Sequence, residues 1–130
     1  MSKYGNKKAV AEFNGQLVTF DSTLERDRFN LLLIRQKAGE ISGLELQPEF
    51  ILLEKFTNNR GKYRGIKYIA DFRYLENDRV FVEDAKGVLT KEYQIKKQLF
   101  LSQRDRDVFG QDLIFREVTR KGCSWNVKEM

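Results

Sequence analysis

The chain shows two spacings of apolar residues, and each change of spacing marks a new element. Over residues 8–20, KAVAEFNGQLVTF, two short strand-like runs flank Asn14-Gly15. Both positions of that dipeptide tolerate positive φ, which predicts a two-residue hairpin. From Ser22 the spacing becomes helical. Ser22 can cap the helix, Phe29, Leu32 and Leu33 form an apolar stripe edged by Leu24 and Leu31, and Gly39 can end it after about Ala38. LELQPEFILLE, residues 44–54, reads as a strand whose only proline, Pro48, favours an edge or a bulge in that half. IKYIADFRYLE (66–76) and RVFVEDAKG (79–87) read as two more strands joined by a turn at Asn77-Asp78, close enough to form an antiparallel hairpin. A second helix is predicted over about 91–104, with Tyr93, Ile95, Leu99 and Phe100 as its buried face and Lys91, Lys96 and Lys97 outside or bordering it. DLIFREV, 112–118, supplies a last strand, and the segment from Thr119 reads as a loosely held tail. The expected fold is one α/β domain over 1–130, a mixed β-sheet flanked by two helices with an N-terminal hairpin.

Two of these strands lose their apolar character at specific points. Asp71 interrupts YIADF, and VFVEDAKG ends in Glu83, Asp84 and Lys86 before Gly87. Alternation sends Asp84 and Lys86 to one face of their strand and Glu83 to the other. A turn at 77–78 sets Asp71 against about residue 84, so the two aspartates become neighbours. Facing carboxylates repel, and burying either one costs several kcal/mol, roughly, unless something neutralises it. A divalent cation would do so. The plainer alternative is a pair of edge charges balanced by Lys86 and nearby arginines. Glu25 lies one helical turn before Phe29 and faces the core side of its helix. Ser22-Thr-Leu-Glu25 is also a capping box, which by itself accounts for the glutamate.

Composition narrows the chemistry. The chain has no His, which excludes His-based nucleophilic catalysis, His metal sites and a His general base. A single cysteine, Cys123, allows neither an intramolecular disulfide nor a multi-thiolate zinc site, and reads more simply as a small apolar residue than as a reactive one. Any metal must therefore be held by oxygens, which favours Mg²⁺, with Mn²⁺ as a substitute. No apolar run approaches a membrane span and no signal-like segment follows MSKYGNKK, so a soluble, cytoplasmic protein is expected. The net charge is +5, and Lys55, Arg60, Lys62, Arg64 and Lys67 lie in one segment, 55–67, with no acid among them. That loop suits a phosphate backbone, or it simply keeps the protein soluble.

FDSTLE, LELQPEF, YIADF, VEDAKG and TKEYQIKKQLF, in this order, resemble the PD-(D/E)XK nuclease superfamily. More narrowly, they resemble a small phage-encoded family within it, carried as a domain of unknown function and related to Holliday-junction resolvases and phage endonuclease I. The resemblance spans about Lys3 to Val118 and implies a restriction-endonuclease-like αβββαβ core. Position by position it implies Asp71 and Asp84 as the acidic pair, Lys86 as the motif lysine, Glu25 as the acid from the first helix, and the main-chain carbonyl of Ala85 as a further metal ligand. Ala70 replaces the proline of the motif. Asp84 replaces the commoner Glu, which shortens the arm by one methylene and draws the metal closer to the strand. Glu83 has no role in this correspondence, although a bulge would exchange the two acids. Gln94 falls where some relatives keep a polar active-site residue. The implied activity is Mg²⁺-dependent hydrolysis of DNA phosphodiester bonds in a phage or prophage setting within a bacterial cell. The substrate would be duplex or branched DNA, the enzyme a possible homodimer, and Lys55, Arg60, Lys62, Arg64, Lys67, Lys91, Lys96 and Lys97 would hold the DNA backbone. The alternative is a module that binds nucleic acid without cutting, or that cuts only with a partner.

Overall fold

The computed structural model describes residues 9–130, so Lys8 at the expected start of the first hairpin, and the start of the resemblance at Lys3, lie outside the described residues. Strands β1 (Ala9–Phe13) and β2 (Gln16–Phe20) pair antiparallel across Asn14 (φ 52°) and Gly15 (φ 79°), as the dipeptide predicts. Helix α1 (Thr23–Lys37) starts with the Glu25 amide donating to Ser22 Oγ at 3.2 Å and ends at Ala38, with Gly39 left-handed at φ 81°.

Two of the expected strands are each divided. LELQPEFILLE forms β3 (Ser42–Leu46) and β4 (Glu49–Leu53), separated at Gln47, φ 53°, and Pro48. The basic segment is itself a short hairpin, β5 (Phe56–Asn58) with β6 (Gly61–Tyr63). IKYIADFRYLE then forms β7 (Ile66–Ile69) and β8 (Phe72–Glu76), broken at Ala70-Asp71. The two breaks face each other. The Gln47 amide donates to the Asp71 carbonyl at 2.9 Å, and the Ala70 amide to the Pro48 carbonyl at 3.0 Å. Pairing therefore continues across the bend while the β4–β7 ribbon turns out of the plane of β3–β8. Proline without an N–H and a left-handed residue before it are suited to such a bend.

Strand β9 (Arg79–Ala85) follows the 77–78 turn, helix α2 (Lys91–Asp105) is capped by Thr90, and β10 (Leu113–Lys121) and β11 (Ser124–Glu129) complete the chain. The central sheet runs β11-β10-β9-β8-β3, with β9 and β10 parallel and the other pairs antiparallel. The result is a mixed α/β fold with two helices, a five-stranded mixed sheet and an N-terminal hairpin. The segment expected to be a loose tail is instead β11, in register with β10 from Arg116↔Glu129 to Lys121↔Ser124. Its own apolar content is slight, and its order comes from hydrogen bonds offered by the free edge of β10. Cys123 is exposed in the turn between them, not packed.

Alternation along β9 divides the core. Phe81 packs with Phe29, Leu32, Phe72 and Tyr74 on the α1 side, while Val82 packs with Tyr68, Tyr93, Phe100 and Phe115 on the α2 side. The face expected of α2 needs correcting. Tyr93 and Phe100 are buried, but Ile95 and Leu99 are 58 % and 40 % exposed. At about 100° per residue, the inward stripe runs Tyr93, Lys96/Lys97, Phe100 and Leu101, and Ile95 and Leu99 fall on the opposite side. Among the described residues no helix is long and apolar enough to cross a membrane.

One polar group lies deep on the α1 side. Glu83 is fully buried, accepts from Arg28 Nε and, at 3.1 Å, from Arg28 Nη2, and accepts the Tyr74 hydroxyl at 2.5 Å. Removing one partner of such a pair strands a buried charge, at about 3–5 kcal/mol, whereas replacing both with apolar groups is often close to neutral. Arg28→Met should therefore unfold at markedly lower urea concentration than wild type, and Arg28→Met/Glu83→Leu should recover at least half of the loss. A double variant no better than the single would show that the stranded charge is not the cause.

Candidate active site

The site forms where the ribbon leaves the sheet. The β8–β9 ladder pairs Phe72 with Glu83 and shows no bulge, so Asp71 and Asp84 stand opposite each other just beyond its end. Parity places Glu83 with Arg28 on the α1 side and Asp84 on the α2 side, which settles which acid faces the site. Asp84 is fully buried. Its Oδ2 accepts the Tyr68 hydroxyl, its Oδ1 has no hydrogen-bond partner, and Lys86 Nζ stands 3.6 Å from Oδ1. Asp71 is half-buried and receives the Ala85 amide at 2.8 Å. Ala85 thus meets Asp71 through its N–H, whereas the resemblance implied a role for its carbonyl.

Glu25 reaches the same cluster from the start of α1, where Leu24 lies against Gly87 at the end of β9. Its carboxylate accepts the Asp21 amide at 3.3 Å and also lies against the Asp71 carboxyl. Only the Ser22 half of the expected capping box forms, since the Glu25 carboxylate takes the Asp21 amide in place of the Ser22 amide while also lying beside Asp71.

Burial raises Asp71 well above the ordinary aspartate range, and the adjoining Glu25 and Asp84 carboxylates raise it further. Burial also raises Asp84, but Asp71, Lys86 and Tyr68 partly counteract this by stabilising its charge. Without a cation, burial of the two adjoining carboxyls favours proton binding by the pair. Tyr68 is pushed far above its usual value by burial and by the Asp84 charge, so it stays a donor that occupies one Asp84 oxygen and leaves Oδ1 free. Sequence reasoning missed Tyr68. The available signal was its position on the strand preceding Asp71, but its partner belongs to a different strand.

A second network adjoins the first. Lys86 Nζ lies 4.5 Å from the centre of the Tyr93 ring, the Tyr93 hydroxyl donates to Glu117 at 2.6 Å, and Lys97 Nζ donates to the same carboxylate at 2.8 Å. Burial tends to raise Glu117, but Lys97 and Tyr93 outweigh it and hold it below the ordinary glutamate value. Neither Tyr93 nor Glu117 was anticipated as part of the site.

The expected phosphate-binding cations separate into groups. Lys67 and Lys96 line the mouth of a cleft of about 270 Å³ together with Lys86, although Lys67 also pairs with Glu49 at 3.0 Å and Lys96 with Glu92 at 3.2 Å. Lys55, Arg60, Lys62 and Arg64 are exposed on and around the β5–β6 hairpin, and Lys91 is exposed at the start of α2. Lys97 turns inward to Glu117, its side chain only 16 % exposed, so its charge is already matched. Gln94 does not enter the site, because its Nε2 donates to the Leu89 carbonyl and closes the start of α2. A groove of about 660 Å³ lies between α1 and β11, away from this chemistry. Its arginines Arg28, Arg35 and Arg116 are already paired with Glu83, Glu76 and Glu129.

The donor set fits a hard divalent cation. A buried, unpartnered carboxylate oxygen beside a second carboxylate is an environment that positive charge relieves. Among the described residues no three His, Cys, Asp or Glu side chains are spaced as a ready-made cage. Mg²⁺, however, is typically held by one or two carboxylates with water filling the remaining positions.

These features define a mixed α/β protein with an acidic pair, Asp84 buried and Asp71 half-buried, and a lysine at the fork of its sheet. The chain belongs to the DUF1064 family, described as a protein of unknown function, whose model matches residues 1–128. No curated protein and no solved structure matches it.

The raised carboxyls give a pH dependence of known sign. Protons bind them more tightly in the folded state, so their penalty is absent below the ordinary aspartate value and grows as pH rises through the raised one. Without metal, Asp71→Asn should melt higher than wild type at pH 8, by about 1–2 kcal/mol or several degrees, and the gain should vanish near pH 4. Mg²⁺ or Mn²⁺ should raise the melting temperature of wild type and not of the variant. Equal metal shifts in both proteins would exclude a cation at this pair.

Proposed function

We propose that this protein is a metal-dependent endodeoxyribonuclease of restriction-endonuclease-like architecture. The observation that carries the reading is the buried Asp84 Oδ1, which has no hydrogen-bond partner and faces Lys86 at 3.6 Å, beside Asp71 at the open end of the sheet. Asp71 and Asp84 would hold Mg²⁺ or Mn²⁺, with Glu25 and the Ala85 main chain able to complete the set. When bound, the ion would supply Lewis acidity toward water and toward the phosphate oxygens. The protein's own groups do the rest. Tyr68 fixes the Asp84 carboxylate so that a single oxygen is free. Lys86, held over the Tyr93 ring, presents a positive charge at the cleft, where it orients the attacking water and offsets negative charge developing on the phosphoryl group. Lys67 and Lys96 at the cleft mouth, with Lys91 beyond them, engage flanking phosphates without reading sequence.

Cutting opposed strands of a branched substrate requires two such sites. The outer face of the β4–β7 ribbon offers a surface for pairing two copies. Ile51, Leu53, Ile66 and Ile69 are each at least 39 % exposed, an apolar face of the kind a two-fold contact covers.

Supercoiled plasmid and a synthetic four-way junction, incubated with Mg²⁺ or Mn²⁺ or with EDTA, test the activity directly. Wild type should cut only with metal. Asp84→Ala and Lys86→Ala should lose about 10²-fold or more in rate while still binding DNA. Paired, symmetric nicks in the junction would indicate a dimer acting on branched DNA. A folded wild type that binds DNA and cuts neither substrate in either metal would replace this reading with that of a non-cleaving nucleic-acid-binding module.

A further inference from the structure

The β5–β6 hairpin belongs to neither core cluster, yet it carries two large aromatic rings. Phe56 and Tyr63 are directly paired across it, and their rings stack with centroids 4.8 Å apart and planes 13° from parallel. They remain 45 % and 44 % exposed. A two-stranded hairpin with three residues per strand has little intrinsic stability, and this stack is a main source of it, at about 0.5–1.5 kcal/mol. The hairpin is nevertheless seated firmly. A Cβ on Gly65 would lie 2.5 Å from the Leu53 carbonyl oxygen and 3.0 Å from the Lys55 amide, so only glycine lets the β6–β7 link cross this closely over the end of β4.

Cations lie along the same hairpin. Lys55 and Arg64 flank the hairpin, Arg60 is at its turn and Lys62 is on β6, with no acid anywhere between Lys55 and Lys67. Among the described residues none of these four forms an ion pair. Half-exposed aromatic faces beside free cations are the chemistry that binds unpaired nucleotides. Each base stacks on a ring for about 1–3 kcal/mol, and the cations take the phosphates. Bases inside a duplex are already stacked on their neighbours and present no free face.

We infer that the β5–β6 hairpin binds unpaired nucleotides beside a duplex, which makes the preferred substrate DNA with a single-strand–duplex boundary. Its consequence for cleavage rests on the nuclease reading, but its binding does not. Tyr63 and Asp71 are eight residue steps apart along the chain. Fully extended they span at most about 26–29 Å. At about 3.4 Å per nucleotide, cuts then fall within about eight nucleotides of the boundary.

The test is fluorescence anisotropy in EDTA, which removes cleavage from the readout, comparing a blunt duplex with the same duplex bearing an oligothymidylate tail. Wild type should prefer the tailed DNA. Phe56→Ala/Tyr63→Ala should lose about tenfold in affinity for the tailed DNA and little for the blunt one. Phe56→Leu/Tyr63→Leu, which keeps apolar bulk at the hairpin, should show the same loss, while Phe56→Trp/Tyr63→Trp should retain binding. Lys62→Ala/Arg64→Ala should weaken both DNAs alike and flatten the salt dependence. Wild type without a tail preference, equal losses on both DNAs in the aromatic variants, or hairpin-dependent binding to anionic vesicles but not to tailed DNA would overturn the inference. Tail preference in a protein that never cuts would uphold the hairpin and remove the nuclease. Metal-dependent cutting with no tail preference would do the reverse.

Discussion

The structure depends on the parity of β9. Its unbroken antiparallel ladder with β8 assigns each consecutive side chain to alternate faces, and two adjacent acids, Glu83 and Asp84, are thereby sent to opposite sides of the sheet. Glu83 meets Arg28 and Tyr74, which supply the charge and donors that a fully buried carboxylate requires. Asp84 lies against a second carboxyl, Asp71, and has the Tyr68 hydroxyl and the more distant Lys86 in place of a bidentate arginine. A slip of one residue would exchange the two environments, placing the arginine against the wrong acid and moving every apolar residue of β9 to the other face. The Arg28–Glu83 pair therefore fixes register as much as it stabilises, and the site is positioned by a network on the opposite side of the sheet from it.

The bend in the ribbon explains how an acidic pair is tolerated at this point. If β7 and β8 were one straight strand, Asp71 would sit inside a continuous ladder. With the break at Ala70-Asp71 matched by Gln47-Pro48, the ribbon swings away and β9 ends, leaving an opening toward the cleft lined by Lys67, Lys86 and Lys96. The pair still raises the free energy of the metal-free fold, since both carboxyls bind protons more tightly than free aspartate does. Tyr68 and Lys86 moderate that penalty without removing it. Sites that must hold a ligand commonly retain local strain of this kind, which the ligand then relieves. The aromatic rings of Tyr68 and Tyr93 link this polar cluster to the α2 core, so side chains that fill the interior also aim the functional groups.

Much of the architecture was legible from local pattern. Asn14-Gly15 and the 77–78 turn marked their hairpins because both need positive φ at defined positions, as Gly39 does at the end of α1, while Ser22 marked its start through a hydroxyl that accepts the Glu25 amide. Period-two alternation separated Glu83 from Asp84, and the turn position set Asp71 opposite Asp84. These are short-range constraints. The face of α2 was misjudged because Ile95 and Leu99 are apolar, and apolarity alone does not say which stripe meets the sheet. Strand β11 was missed because its order is borrowed from the edge of β10.

The sequence by itself determined the two helices, the N-terminal hairpin and the pairing register of β8 with β9, which sets Asp71 opposite Asp84. Each follows from steric or periodic rules acting over a few residues. Only the tertiary structure decided that Arg28 neutralises Glu83, that Tyr68 holds Asp84, that Lys97 turns inward to Glu117, and that Phe56 and Tyr63 remain outside the core. Those outcomes join groups on separate elements or turn on what lies across a packed interface. Their energies depend on burial and charge at one point in space, which no pattern along the chain specifies.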